Sequence, residues 1–406
     1  MNNIGIRIPR ILLPKKGINL EKWAVVAVDQ YTSNAEYWQR LEKHIGDDAS
    51  TLRLVLPEIY LEGQDVLARI ETINRNMQNY LERDMFEQVD GMVYIERTLP
   101  GGRVRKGLMV ELDLEQYDYS VGSKSLIRAT EGTILDRLPP RIRIRENAPL
   151  ELPHILVLIN DPKCTVIEPS AGSGKILYDT PLNENGGHIR GYSVEQPNNV
   201  IAALEKLKSQ CKDNLLYAMG DGNHSLATAK VCWEQLKSQG APAEHPARYA
   251  LVELVNLHSP ALVFEPIHRV LFDTSIEQLL SYANENNIPV SKTDSNPHST
   301  QTVQVMDKNG AYYLTLERPT SALLVGSLQN LLDGYIKAHN ATVDYIHGEE
   351  DVLRLSKQNH LGFLLPAMGK SMLFPSVIAD GALPRKTFSM GEAHEKRYYM
   401  EARAIA

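Results

Sequence analysis

Cysteine is scarce in this sequence. Three occur among 406 residues, Cys164, Cys211 and Cys232, an odd set without paired spacing. That excludes a disulfide framework and a cysteine zinc ribbon, and it fits a reducing compartment. Long apolar runs are lacking as well, since none approaches the roughly 18 residues that a membrane span needs. The N-terminus has no charged, then apolar, then small signal pattern. These absences set the expectation of a cytoplasmic protein with no membrane partner. Positive charge is also short, with 43 Lys and Arg against 50 Asp and Glu, a formal charge of -7. A broad nucleic-acid footprint needs a basic surface, so the balance argues weakly against nucleic acid as a partner while leaving room for a small basic pocket. The twelve histidines are scattered and form neither His-Glu-x-x-His nor a Cys/His pair, which argues against a transition-metal site. No Gly-x-Ser-x-Gly elbow is present, which disfavours a serine hydrolase.

What is there is ordinary globular composition, 43% hydrophobic and 23% charged, on a chain long enough for two or three domains or for one large core with an accessory lobe. The apolar run Trp23 to Val28 reads as a buried strand ending at Asp29. Val66, Ile70, Ile73, Met77 and Leu81 recur at helical spacing, which predicts an amphipathic helix over about 64–84. Runs at Met92 to Ile95 and Leu108 to Leu112 flank Pro100-Gly101-Gly102 and predict a hairpin. Ile155 to Ile159 is uninterrupted and apolar, which suits a strand covered on both faces. Thr165 to Ile167 and Lys175 to Tyr178 read as a second hairpin around Ser170 to Gly174. That turn is superficially similar to a Walker A loop, but Pro169 stands where the motif needs Gly and Ile176 where it needs Ser or Thr. Val200 to Cys211 marks a helix. A strand at Leu215 to Met219, a glycine loop, a helix through Leu226, Ala229, Trp233 and Leu236, and a strand at Tyr249 to Leu257 follow. Such a crossover normally makes the two strands parallel neighbours.

Beyond about 273 the pattern changes. Thr274-x-x-Glu277 matches a capping box and opens a helix through Asn286. Val303 to Met306 and Tyr312 to Leu316 surround Asn309-Gly310, a strong hairpin signal. Helices near 326–339 and 349–357 come next. The expected fold class is α/β (mixed α+β), a central mixed sheet with flanking helices and an accessory α+β lobe. The expected organisation is a main body over 1–273, a lobe over 274–360 and a C-terminal segment, 361–406, returning to the main body.

The segment Gly220-Asp221-Gly222-Asn223-His224-Ser225 joins a strand to a helix. At a helix start several backbone N–H groups lack internal acceptors, and the helix dipole favours an anion there. Glycine lets the backbone approach a phosphate closely. Gly220, Gly222 and Asn223 would form the cradle, with His224 or Ser225 adding a side-chain donor. Asp221 would serve as a magnesium ligand, as a base for a substrate hydroxyl, or as the partner that orients His224. Asp-Gly and Gly-Asn are also common turn pairs, and Asp, Asn or Ser common caps, so the spacing alone does not separate a site from a capped turn. His224 favours a site, because capping needs no imidazole.

Other segments carry charge. Arg128 and Glu131 cluster with Thr130 and Thr133, and with Arg137, Arg141, Arg143 and Arg145 they make a basic stretch able to grip a phosphate or carboxylate. A solvated, ion-paired face is the competing reading. His268 and Arg269 adjoin at a predicted strand exit, where α/β proteins bind ligands. Lys386 lies in a proline-bounded loop, and Asp29 ends the first predicted strand.

Arg128-Ala129-Thr130-Glu131-Gly132, Met219-Gly220-Asp221-Gly222-Asn223-His224, Pro266-Ile267-His268-Arg269-Val270, Val343-Asp344-Tyr345-Ile346-His347-Gly348 and Leu383-Pro384-Arg385-Lys386-Thr387 together carry a resemblance over nearly the whole chain. The sequence resembles a widespread bacterial and archaeal family of conserved proteins known only as a domain of unknown function. Many members have Asp-Gly-His-His-Arg in the glycine loop. This sequence has Asp221-Gly222-Asn223-His224-Ser225, so Arg128 or Lys386 would have to supply the missing cation. The family loop is in turn similar to the phosphate loop of the ParB and sulfiredoxin-like group, which includes nucleotide-binding partition proteins and free-serine kinases. That similarity implies nucleotide binding, with Asp221 and His224 near the phosphate. The leading expectation is a small-molecule phosphotransferase that uses Mg and ATP or ADP to phosphorylate a hydroxyl of a small polar metabolite, such as the amino acid serine. A non-catalytic nucleotide- or metabolite-sensing protein comes second, and a ParB-like nucleic-acid binder third. A homo-oligomer is compatible with any of these.

Overall fold

The apolar runs of the first 262 residues pair into a ten-stranded mixed sheet. A computed structural model describes residues 4–406 and divides them into two units. The larger unit runs to Leu262 and resumes over Gly391–Ala406, and the smaller spans Val263–Met390. The strand Phe264–Leu271 therefore belongs to the smaller unit, so the division falls before it and not at 273. Of the C-terminal tail only the stretch from Gly391 lies in the larger unit.

The sheet of the larger unit runs Ile176–Leu182, Gly187–Ser193, Val93–Thr98, Val104–Asp113, Tyr249–Asn256, Leu156–Ile159, Tyr217–Asp221, Ile127–Arg128 and Tyr117–Asp118, with Ile6–Arg7 paired beside Val104–Asp113. Tyr249–Asn256 and Leu156–Ile159 are buried at every position, as continuous apolar strands must be when both faces are covered. Leu156–Ile159 lies parallel to Tyr249–Asn256 and antiparallel to Tyr217–Asp221. The strands before and after the glycine loop and its helix are thus neither neighbours nor parallel. An earlier strand occupies the place between them, and the returning strand pairs antiparallel with Val104–Asp113 on its other edge.

Local chemistry explains the other departures from the sequence pattern. Trp23 ends a short helix, Leu20–Trp23, because the Asn19 side chain accepts from the amides of Glu21 and Lys22; only Val25–Val26 remains as strand. Thr165 to Ile167 is not a strand, since the Asp161 carboxylate accepts from the amides of Thr165 and Val166 and folds the segment back on itself. The hairpin partner of Ile176–Leu182 is instead Gly187–Ser193. The helix Val66–Glu82 buries Ile70, Ile73, Met77 and Tyr80.

The smaller unit holds a seven-stranded sheet in the order Val290–Thr293, Gly310–Leu316, Thr302–Asp307, Leu361–Leu364, Phe264–Leu271 and Val343–His347, with Phe388–Met390 also paired to Phe264–Leu271. Its first helix, Ile276–Glu285, is capped one residue later than the pattern suggests, by a box of Ser275 and Gln278.

Within the larger unit, the C-terminal segment is bound to the sheet through buried charge. Arg397, with a side chain 1% exposed, pairs with the fully buried carboxylates of Glu253 and Glu401. The Tyr178 hydroxyl donates to Glu401 as well. Arg403 meets Glu151 at 2.7 Å and Glu111 at 3.3 Å. Tyr398–Tyr399 pairs with Val25–Val26, and Arg403–Ala404 with Leu150–Glu151. Such pairs add little net stability over an apolar isostere, but losing one partner strands the other charge in the core. Arg397→Met is therefore expected to cost about 3–5 kcal/mol in urea unfolding. A loss near zero would mean that these pairs do not hold the segment in place.

Candidate functional site

Strand Tyr217–Asp221 ends at the glycine turn, and helix Asn223–Ser238 begins directly after it. Gly222 has φ 79°, in the left-handed region that favours glycine, and a Cβ there would sit 3.0 Å from Ile155 Cγ1. No side chain caps the helix, and Asn223 Oδ1 is buried without a hydrogen-bond partner. The amides of Asn223, His224 and Ser225 stand at a helix start, where intrahelical acceptors are missing.

Asp221 accepts from the Gly222 amide at 2.9 Å and meets the Lys396 ammonium at 3.0 Å. Burial works against a charge on Asp221, but Lys396 outweighs it and holds the carboxyl below the usual carboxylate range. For Lys396 burial likewise opposes the charge, and Asp221, with Asp29 in support, raises its pKa. Both groups are charged at neutral pH.

A second set of contacts begins at Ser225. Its Oγ lies 2.9 Å from His154 Nε2, and His154 Nδ1 lies 2.8 Å from the Tyr399 hydroxyl. Asp29 Oδ2 stands 4.0 Å from the same Nε2. The Tyr399 hydroxyl accepts from the Val28 amide at 3.2 Å; it accepts from a ring protonated at Nδ1 or donates its own proton to a bare Nδ1. With Nδ1 bare, Nε2 carries a proton toward Ser225; in the other tautomer, Nε2 accepts from the serine hydroxyl.

His224 Nε2 accepts from the Ile134 amide at 3.4 Å, so a neutral ring carries its proton on Nδ1. Burial, with Arg141 and Arg137 adding to it and Asp29 opposing, lowers its pKa to about 4. At neutral pH His224 is an uncharged donor, not a cation.

Beside Ser225, His154 and Tyr399 lies a cavity of about 150 Å³. Most of its remaining wall is apolar, and its lining includes Ser225 and Thr228 of the loop helix but none of Asp221 to His224.

The structure gathers Asp29, Asp221, Gly222, Asn223, His224 and Ser225 in the larger unit, with Gly220 one residue before the turn. Arg128 is placed differently. Its guanidinium holds the Asp213 carboxylate at 2.9 Å and the Ser125 carbonyl, at the end of strand Tyr217–Asp221 opposite the loop. Thr130 donates to the Met219 carbonyl at 2.8 Å, and Glu131 next to it is partly buried. His268, Arg269 and Lys386 belong to the smaller unit. His268 is buried, accepts from the Leu365 amide at 3.1 Å, and has its pKa lowered by that burial. Arg269, also buried, donates to the carbonyls of Arg385 and Lys386 and lies over the Tyr345 ring. Lys386 is exposed in a left-handed turn with φ 58°.

Sequence reasoning missed Lys396, His154 and Tyr399. His154 could have been found, because it directly precedes the apolar run Ile155 to Ile159 and so stands at a strand end. Nothing in Lys396-Arg397-Tyr398-Tyr399 marks it as part of a site more than a hundred residues earlier. Among the described residues no group of three or more His, Cys, Asp or Glu could hold a metal ion, and none of their helices is long and apolar enough to cross a membrane. All three cysteines are unbridged.

Fold and site together define a mixed α/β protein with an uncapped glycine-turn helix start beside a partly buried Asp–Lys pair. Residues 12–335 match the family described as "Protein of unknown function (DUF1015)", and the chain belongs to that family. No curated protein matches it. Among solved structures it is similar to a conserved hypothetical protein from Pyrococcus furiosus, 11% identical, with 71% of this chain and 91% of that one covered and a TM-score of 0.36. A mutant free serine kinase in complex with AMP is 10% identical over 73% of this chain and 91% of that one, with a TM-score of 0.40. SbnI from Staphylococcus aureus, truncated at its C-terminus, is 10% identical over 70% of this chain and 82% of that one, with a TM-score of 0.37.

The folded-state pKa of His224 lies below the ordinary 6.5, so between pH 6.5 and about 4 the unfolded chain binds more protons at this residue. Its contribution to stability is present above pH 6.5 and is lost as the pH falls toward 4. Imidazole NMR is expected to report a midpoint near 4 for this ring, and His224→Gln to flatten the fall in stability across that window. A midpoint at 6 or above would contradict the burial described here.

Proposed function

We propose that the protein is a small-molecule phosphotransferase, which binds a nucleotide, ATP or ADP, through its phosphates at the first turn of helix Asn223–Ser238. The observation that carries this reading is the uncapped turn with the Lys396 ammonium beside it. Phosphoryl transfer asks mainly for positioning and neutralised charge. Gly220, Gly222 and Asn223 supply close-approaching backbone, the amides of His224 and Ser225 extend the cradle, and His224 Nδ1–H adds an uncharged donor. Lys396 does what was expected of Arg128 or Lys386 and neutralises charge at the loop. Asp221, held below the usual carboxylate range, is a poor base and instead fixes the ammonium. His154 can take a proton at Nε2 in the tautomer that carries its own proton on Nδ1. A substrate hydroxyl hydrogen-bonded to Nε2 in the place of the Ser225 hydroxyl would pass its proton there as its oxygen bonds to phosphorus and the bond to the leaving nucleotide breaks, releasing ADP from ATP or AMP from ADP.

A protein-held magnesium does not fit these residues. The ammonium of Lys396 already answers the Asp221 carboxylate and has Asp29 near it. One observation favours a non-catalytic nucleotide- or metabolite-sensing role instead: both oxygens of Asp221 are engaged, one by Gly222 and one by Lys396.

Nucleotide turnover against a panel of hydroxylated metabolites separates the two. Lys396→Met is expected to lower turnover by about 10²-fold or more, the scale of losing one charge-stabilising donor, with the circular dichroism spectrum retained. Tight nucleotide binding without turnover on any metabolite would leave the sensing role. No stabilisation by any nucleotide or phosphate in thermal unfolding would contradict the phosphotransferase and a nucleotide-sensing role alike.

A further inference from the structure

The cavity beside Ser225 points to the chemistry of the acceptor. We infer that it takes an uncharged alcohol with an apolar group of about six carbon atoms, whose hydroxyl lies at Ser225 Oγ and His154 Nε2. As a substrate assignment this rests on the phosphotransferase reading; as a binding site it stands on its own walls. Leu54, Leu56, Leu61, Met77, Ile144 and Leu152 make the apolar part. Its volume of about 150 Å³ is that of a cavity known to hold benzene. Polar groups converge at one end, where Ser225, His154 and Tyr399 form a continuous run of hydrogen bonds.

The charged residues of the wall do not welcome a zwitterion. Glu58 is paired with Arg141, and Glu151 with Arg145. A free amino acid such as serine would bring an ammonium and a carboxylate against aliphatic side chains with no unpaired countercharge, which is strongly unfavourable. An alcohol brings one hydroxyl, and the His154 end can both donate to it and accept from it. Such a division, an apolar body with a few converging polar groups at one end, is the usual make-up of a small-molecule pocket.

The test measures binding to the full chain without nucleotide, by ligand-detected NMR and thermal shift, for benzyl alcohol, 3-methylbutan-1-ol and L-serine. Both alcohols are expected to bind saturably and L-serine not to bind. Ile144→Phe, at the partly buried edge of the cavity, is expected to weaken alcohol binding at least tenfold, and Leu56→Trp, deeper in, to do the same if it folds. Serine binding as tightly as the alcohols, or neither alcohol binding by 10 mM, overturns the inference. So does unchanged alcohol binding in a folded Ile144→Phe variant. Saturable, cavity-dependent alcohol binding without any nucleotide turnover would uphold this site and count against the phosphotransferase, so the two can fail separately.

Discussion

Buried charge near the C-terminus organises the larger unit. Arg397 and Arg403 have almost no contact with solvent, and the carboxylates of Glu253, Glu401, Glu151 and Glu111 that answer them are equally enclosed. A charge in such surroundings tolerates no displacement, because moving it away from its partner leaves both desolvated and unpaired. The segment is thereby fixed in register against Val25–Val26 and Leu150–Glu151. Its other side chains are placed by the same constraint. Lys396 arrives at Asp221, and Tyr399 arrives at His154.

The site is therefore a composite. The strand-to-helix turn supplies amides and Asp221, the entry to strand Leu156–Ile159 supplies His154, the end of the first short strand region supplies Asp29, and the C-terminal segment supplies the cation. Its electrostatics are set by burial more than by net charge. Asp221 and Lys396 stay ionised because each has the other, while His224 stays neutral because burial, with Arg141 and Arg137, outweighs Asp29. The turn thus has the Lys396 ammonium fixed beside Asp221 and an uncharged donor in His224.

Much of this was legible in the residues. The helix at 66–82, the hairpin around Pro100 to Gly102 and the turn at Asn309-Gly310 follow from periodicity and turn chemistry, which are local. The strand, glycine turn and helix at Asp221 were also local, and they stand where the pattern puts them. What failed was non-local. Sheet order depends on which strand already occupies the neighbouring place, so Leu156–Ile159 between Tyr217–Asp221 and Tyr249–Asn256 could not be read from spacing. Lys396 could not be paired with Asp221 by any rule of separation along the chain. Arg128 looked like an available cation, yet its partner Asp213 is spaced no more tellingly than other carboxylates. At Trp23 and at Thr165 single side chains, Asn19 and Asp161, redirected the backbone against the apolar pattern.

In the proposed phosphotransferase, phosphate rests on main-chain amides at the start of helix Asn223–Ser238. Amide chemical shifts followed during an ADP titration address it directly. The account predicts that the resonances of Gly222, Asn223, His224 and Ser225 move first and furthest, saturably, and that the same titration on Lys396→Met leaves them in place. Saturable ADP binding that shifts other amides and spares these four would contradict it.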